Sequence, residues 1–139
     1  MLRRSAGPVF AVPSPESPLN HALVAYDGSP KAEEALFVAT YLAGRWRTSL
    51  TVVTVAKSPR AAGDMQAPAR EYLTAHGIGA EFVQDEGPAV SSILEVARDK
   101  ESDLIVMGGY GRRAVAEVTL GSVVEEILQT CQHPTLICQ

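Results

Sequence analysis

After residue 20 the chain alternates short β-branched runs with stretches whose apolar residues recur at helical spacing, and this alternation leaves few folds open. The β-rich runs are "HALVAY" (21–26), "LTVVTV" (50–55), "AEFVQ" (80–84), "DLIVM" (103–107) and "TLIC" (135–138). Between them stand Ala35, Leu36, Ala39, Leu42 and Ala43, then Met65, Ala69, Tyr72 and Leu73, then Val90, Ile93, Leu94 and Ala97, and last Val124, Ile127 and Leu128. Four helices between five strands predict a single α/β domain over 21–139, a Rossmann-like, doubly wound, five-stranded parallel sheet with helices on both faces.

The punctuation agrees. Ser29 before Pro30 reads as an N-cap with proline at the first helical position, Gly77 as a stop after His76, and "SVVE" (122–125) as a capping box. Residues 57–68, "KSPRAAGDMQAP", fit either a loop or a frayed helix start. The first twenty residues carry a different signal: aligning Pro8 with Pro134 sets "LRRSAGPVFAVP" (2–13) against "LQTCQHPTLICQ" (128–139), with leucine six before each proline. One reading of 1–20 is therefore the remnant last strand of a preceding sister domain, joined by the linker "SPESPLN"; the other is a polar tail.

Composition excludes several classes. A chain of 139 residues with 46% apolar and 20% charged residues has ordinary globular make-up, and no apolar run approaches the roughly 20 residues of a membrane helix. The start "MLRRSAGPVFAVPSPESP" makes a poor signal peptide, so the expected location is cytoplasmic. A net charge of −4 gives no basic face for nucleic acid. Cys131 and Cys138 form no CxxC pair, and His21, His76 and His133 are scattered, so no metal site is expected.

The glycines of "MGGYGRRAVAEVTLGSVVEEIL" (107–128) suggest a phosphate loop. A P-loop is ruled out because no Gly-Lys-Ser/Thr occurs to reach terminal phosphates and hold magnesium. "GYGRRA" (109–114) fits a permissive dinucleotide fingerprint, but the next strand ends in Cys138 and Gln139 and supplies no carboxylate for a ribose. What remains is Gly108-x-x-Gly111, nine residues, then Gly121-Ser122 at the start of a helix. Such turns expose backbone N–H groups, and a helix N-terminus adds a positive dipole end, so both can face one anion. Asp27 in "AYDGS" (25–29), just past the first strand, suits ribose hydroxyls. The bland alternatives stay open: plain turns at the glycines, a cap at Ser122, simple turn chemistry at Asp27 beside Gly28.

These residues resemble the universal stress protein family, specifically its ATP-binding branch. "LVAYDGS" is similar to that family's first strand and D-x-S turn, "MGGYGRRAVAEVTLGSV" to its G-x-x-G, nine residues, G-S/T motif, and "HPTLIC" to its closing strand. The resemblance implies an adenine nucleotide alpha hydrolase-like sheet of order 3-2-1-4-5, with homodimers, or pairing with a sister domain, through the last strand, 135–138. It implies ATP, ADP or AMP as ligand, with Mg2+. Asp27 would contact the ribose, and main chain near Ala25 and Val55 would border the adenine. Met107 and Gly108 would line the path to Gly111, Gly121, Ser122 and Val123, which would hold the phosphates. Gly109 and Tyr110 depart from the family's small polar and basic residues; Arg112 and Arg113 stand close enough to replace that charge, or are solvated.

No nucleophile with a paired base and no carboxylate dyad can be assembled from the motif-bearing loops. The expectation is a nucleotide-binding stress module with at most slow ATP hydrolysis; the alternative is a nucleotide-free interaction module. A phosphorelay receiver is disfavoured, since Asp27 has no acidic pair beside it, and the third strand ends near Gln84 and Asp85 with no matching lysine late in the chain.

Overall fold

The computed structural model describes residues 9–11, 19–109, 122–130 and 134–138. In chain order these form β1 (Val9–Ala11), β2 (His21–Ala25), α1 (Pro30–Trp46), β3 (Ser49–Val55), α2 (Pro59–Ala75), β4 (Ala80–Asp85), α3 (Ala89–Asp99), β5 (Leu104–Gly108), α4 (Ser122–Thr130) and β6 (Thr135–Cys138). The sheet runs β1-β6-β5-β2-β3-β4, and β2 to β6 are mutually parallel. Counted from β2 as the first strand, these five have the expected order 3-2-1-4-5.

Period-two alternation along the strands divides the core. Ala22, Val24, Leu50, Val52, Leu104 and Val106 pack with Ala35, Leu36, Ala39, Ala69 and Leu73 of α1 and α2. Leu23, Val53, Ile105, Met107 and Ile137 face the other way, onto Ile93, Val96, Ala97, Val124 and Ile127 of α3 and α4. Every residue of β5 is buried, as a central parallel strand covered on both sides requires.

The caps follow from local chemistry. Ser29 Oγ accepts the Ala32 N–H at 3.1 Å, with Pro30 as the first residue of α1. Gly77 stops α2 as expected, its N–H donating to Thr74 O at 3.0 Å while Ile78 N–H reaches Leu73 O at 2.9 Å. The ambiguous stretch at 57–68 is helix from Pro59, because Ser58 Oγ accepts from Ala61 N–H at 3.1 Å and Pro59 needs no donor there. α4 begins at Ser122, and the capping box expected at 122–125 rests on a side chain outside those described.

One strand exceeds the expected five. β1 lies antiparallel on the outer edge of β6, pairing Val9 with Ile137, Phe10 with Leu136 and Ala11 with Thr135. The segment resembling the chain's own ending thus lies beside that ending and covers β-edge groups that would otherwise stand unpaired.

Candidate functional site

β2 and β5 are neighbours, yet the chain leaves β2 for β3 on one side and reaches β5 only after crossing the sheet. The strand order therefore reverses between them, and their C-terminal ends mark the switch point of the sheet. Ala25 is level with Met107 across this junction and with Val53 on the other side. Val55 ends β3 two residues past Val53, level with Asp85 of β4, and Asp27 follows β2 two residues past Ala25. The structure thus gathers Ala25, Asp27, Val55, Met107 and Gly108 at one rim.

Local hydrogen bonds fix that rim. Tyr26 N–H donates to Val53 O at 2.9 Å, and the buried Thr54 hydroxyl donates to Tyr26 O at 2.7 Å, tying the ends of β2 and β3 together. Asp27 Oδ1 accepts the Ser29 N–H at 2.9 Å around Gly28, whose φ of +79° lies in the left-handed region that glycine enters freely. Asp27 therefore forms the Asx turn, which holds its half-buried carboxylate in one place above β2. Burial, then the carboxylates of Glu33 and Asp27, push the Tyr26 phenol above its ordinary range, so it stays neutral.

On the β5 side, Gly108 is held by packing. A Cβ built there would stand 2.8 Å from the backbone carbon and Cβ of Lys31 and 2.9 Å from Ala32 N, in the first turn of α1. The next residue, Gly109, donates its N–H to Cys138 O at 2.6 Å, binding β5 to β6 at the rim. Lys31 Nζ lies 3.2 Å from both oxygens of Glu34. Val123, half-buried at the start of α4, packs on the cluster that contains Val53 and Met107. Gly111, Gly121, Tyr110, Arg112, Arg113 and the Ser122 side chain lie outside the described residues.

Sequence reasoning missed Tyr26, Lys31 and Thr54 here. Thr54 had a readable signal, a hydroxyl inside the apolar run "LTVVTV". Lys31 had none, because only the contact between α1 and β5 brings it to the rim.

Cys138 is fully buried; that burial, then the Glu34 carboxylate, push its thiol up to about 11, with Lys31 pulling slightly the other way. In a Cys131→Ser background, Cys138 is expected to resist a thiol-specific disulfide reagent at pH 8 until the protein is denatured; prompt native reaction would contradict its burial. The folded thiol holds its proton more tightly than the ordinary 9.0, so this group costs no stability below pH 9 and lowers stability as pH rises from there towards about 11. Among the described residues no group of three or more His, Cys, Asp or Glu side chains is placed to hold a metal ion, and no helix is long and apolar enough to cross a membrane.

Residues 60–139 match the family model described as the universal stress protein family. The universal stress protein YxiE of Bacillus subtilis is 28% identical over 144 residues, covering 85% of this chain and 97% of its own. The crystal structure of a universal stress protein from Archaeoglobus fulgidus superposes with a TM-score of 0.73 at 27% identity, over 87% of this chain and 45% of that longer one. A universal stress protein solved in complex with cAMP gives a TM-score of 0.74 at 24% identity, over 88% of this chain and 98% of that one.

Proposed function

Since the chain belongs to the universal stress protein family, we propose that it is a nucleotide-binding module of the stress response, with ATP and Mg2+ as its ligand. Adenine would lie against the main chain at Ala25 and Val55, and the ribose hydroxyls against Asp27. The phosphates would run past Met107 and Gly108 towards the N–H groups of Gly111, Gly121, Ser122 and Val123. The observation that carries this reading is the meeting of Asp27 and the Met107–Gly108 strand end at the reversal of strand order, the place where open α/β sheets take their ligands. The Asx turn adds to it by immobilising the carboxylate before any ligand arrives.

The nucleotide acts as an effector that stabilises one state of the protein, with hydrolysis slow at most. What supports the fit is one carboxylate fixed for the sugar at Asp27 and, among the described residues, no paired nucleophile and base. ADP and AMP share the same adenosine contacts. The cAMP complex of the structural neighbour adds a ligand in which the phosphate closes back on the ribose.

Calorimetric titration of the full chain with ATP, ADP, AMP and cAMP, each with magnesium, tests the reading. ATP is expected to bind saturably, and Gly121→Val to weaken it at least about tenfold by setting a side chain where the phosphates approach backbone N–H groups. Saturable binding that Gly121→Val leaves unchanged would remove the site assignment.

A second reading is favoured by one observation, the pairing of β1 with β6. It is an interaction module that works without nucleotide, its last strand joining a second copy or a sister domain once β1 is displaced. In this reading the segment 1–20 descends from such a sister domain. Absence of binding for all four nucleotides would leave this reading standing.

A further inference from the structure

The large apolar side chains that the described residues leave exposed, Phe37 (45%), Tyr41 (64%) and Trp46 (59%), all stand on α1. The inner face of this helix is already satisfied, with Ala32, Ala35, Leu36, Ala39 and Ala43 buried against the sheet. A helix so anchored would ordinarily turn charged residues to water. Here the outer rings are held in fixed attitudes instead: Phe37 lies 4.7 Å from the Tyr72 ring of α2, and Tyr41 meets Trp46 edge to face at 6.2 Å.

Charge along the same stripe changes sign. Glu34, exposed near the helix start, is followed on one face by Phe37, Tyr41 and then Arg45, exposed in the last turn, at steps of three, four and four residues. This order is self-complementary. An antiparallel copy laid along the stripe brings Glu34 opposite Arg45 and Phe37 opposite Tyr41, twice over, about a two-fold axis passing outside Ala39 and Thr40. We propose that this face of α1 is a self-pairing surface, on which two copies of the chain dock antiparallel with their aromatic rings interleaved between two Glu34–Arg45 pairs. Glu34 already holds Lys31 of its own helix at 3.2 Å, so a second copy adds its Arg45 to the open side of that carboxylate, whereas an acidic partner would satisfy Arg45 and oppose Glu34.

About half of each ring is open, so Phe37 and Tyr41 of both copies, with each Trp46 flanking its Tyr41 at the margin, bring on the order of 500 Å² together. That falls short of the roughly 1,000 Å² of a stable specific interface. The dimer is therefore weak, in the micromolar range, and weakened by salt through its exposed rim charges. It leaves β1 on β6 and so needs no strand to be displaced.

Sedimentation velocity of the full chain, over about a hundredfold range of concentration spanning the micromolar, reads the association directly. Tyr41→Glu is expected to weaken it at least about tenfold, since a carboxylate would enter the apolar middle of the interface. Glu34→Arg and Arg45→Glu should each weaken it by setting like charges face to face, and the double variant Glu34→Arg/Arg45→Glu should restore it by exchanging the partners in both pairs. These positions are exposed, so circular dichroism should show the parent's helix content in every variant, while Glu34→Arg, which also removes the Lys31–Glu34 pair, and Arg45→Glu, which puts an acid in the last turn, should each lower the melt by no more than a few degrees. A chain that stays monomeric throughout, an association indifferent to Tyr41→Glu, or a double variant no better than its singles would each overturn the proposal.

Discussion

Gly108→Ala is expected to cost about 3 kcal/mol and to lower the thermal midpoint by about 10 °C, because a single added carbon is driven into backbone that cannot step aside. The colliding atoms are the Lys31 carbonyl carbon and the Ala32 nitrogen, held in the first turn of α1 by the Ser29 cap, and the Lys31 Cβ beside them. Gly44 supplies the internal control. It lies in the same helix with nothing within 4 Å of an added Cβ, so Gly44→Ala is expected to raise stability by about 0.5–1 kcal/mol through helix propensity alone. Chemical denaturation of both variants measures the pair. If Gly108→Ala were as mild as Gly44→Ala, the close seating of β5 on α1 would be wrong. The comparison also separates packing from binding, since Gly108 needs to be glycine for the helix whatever its N–H does for a ligand.

Deleting residues 1–18 is expected to change the assembly state outright. β6 would lose its antiparallel neighbour and present a bare edge, with backbone donors and acceptors ready to pair with any extended segment, including another β6. Light scattering behind size exclusion should show the truncated chain heavier than the full chain at equal concentration. A synthetic peptide spanning residues 5–13 should reverse this by refilling the edge. A truncated chain with unchanged mass and unchanged stability would mean that β1 does not protect β6.

The fold was legible because its signals are local and repeated. Strand runs such as "LTVVTV" and the apolar spacing of α1 announce their elements, and Ser29–Pro30 and Gly77 mark ends that the hydrogen bonds reproduce. Residues 57–68 were ambiguous because the first buried positions of α2 are Ala62 and Gln66, which give weak apolar periodicity. Gln66 is nonetheless fully buried, its amide donating to Val83 O at 2.9 Å and its carbonyl accepting from Gln84, a pairing visible only once β4 lies beside the helix. The rim was legible at Asp27, just past β2, and at Met107, one residue before the end of β5. It was illegible at Lys31, whose position depends on a contact between elements 77 residues apart in the chain, Lys31 to Gly108. The same limit hid the α1 stripe: its aromatic residues read as ordinary helix content until the inner face was seen to be complete without them.

The antiparallel seating of β1 on β6 sets Val9 opposite Ile137, so the two outermost strands in chain order are side by side, about 5 Å apart. A short turn bridging them would make the backbone an unbroken ring without moving any helix. The molecule could then be reopened at the exposed Gly77–Gly79 corner between α2 and β4. Such a circular permutant would keep every strand pairing of the sheet, with the present ends of the chain converted into an ordinary hairpin.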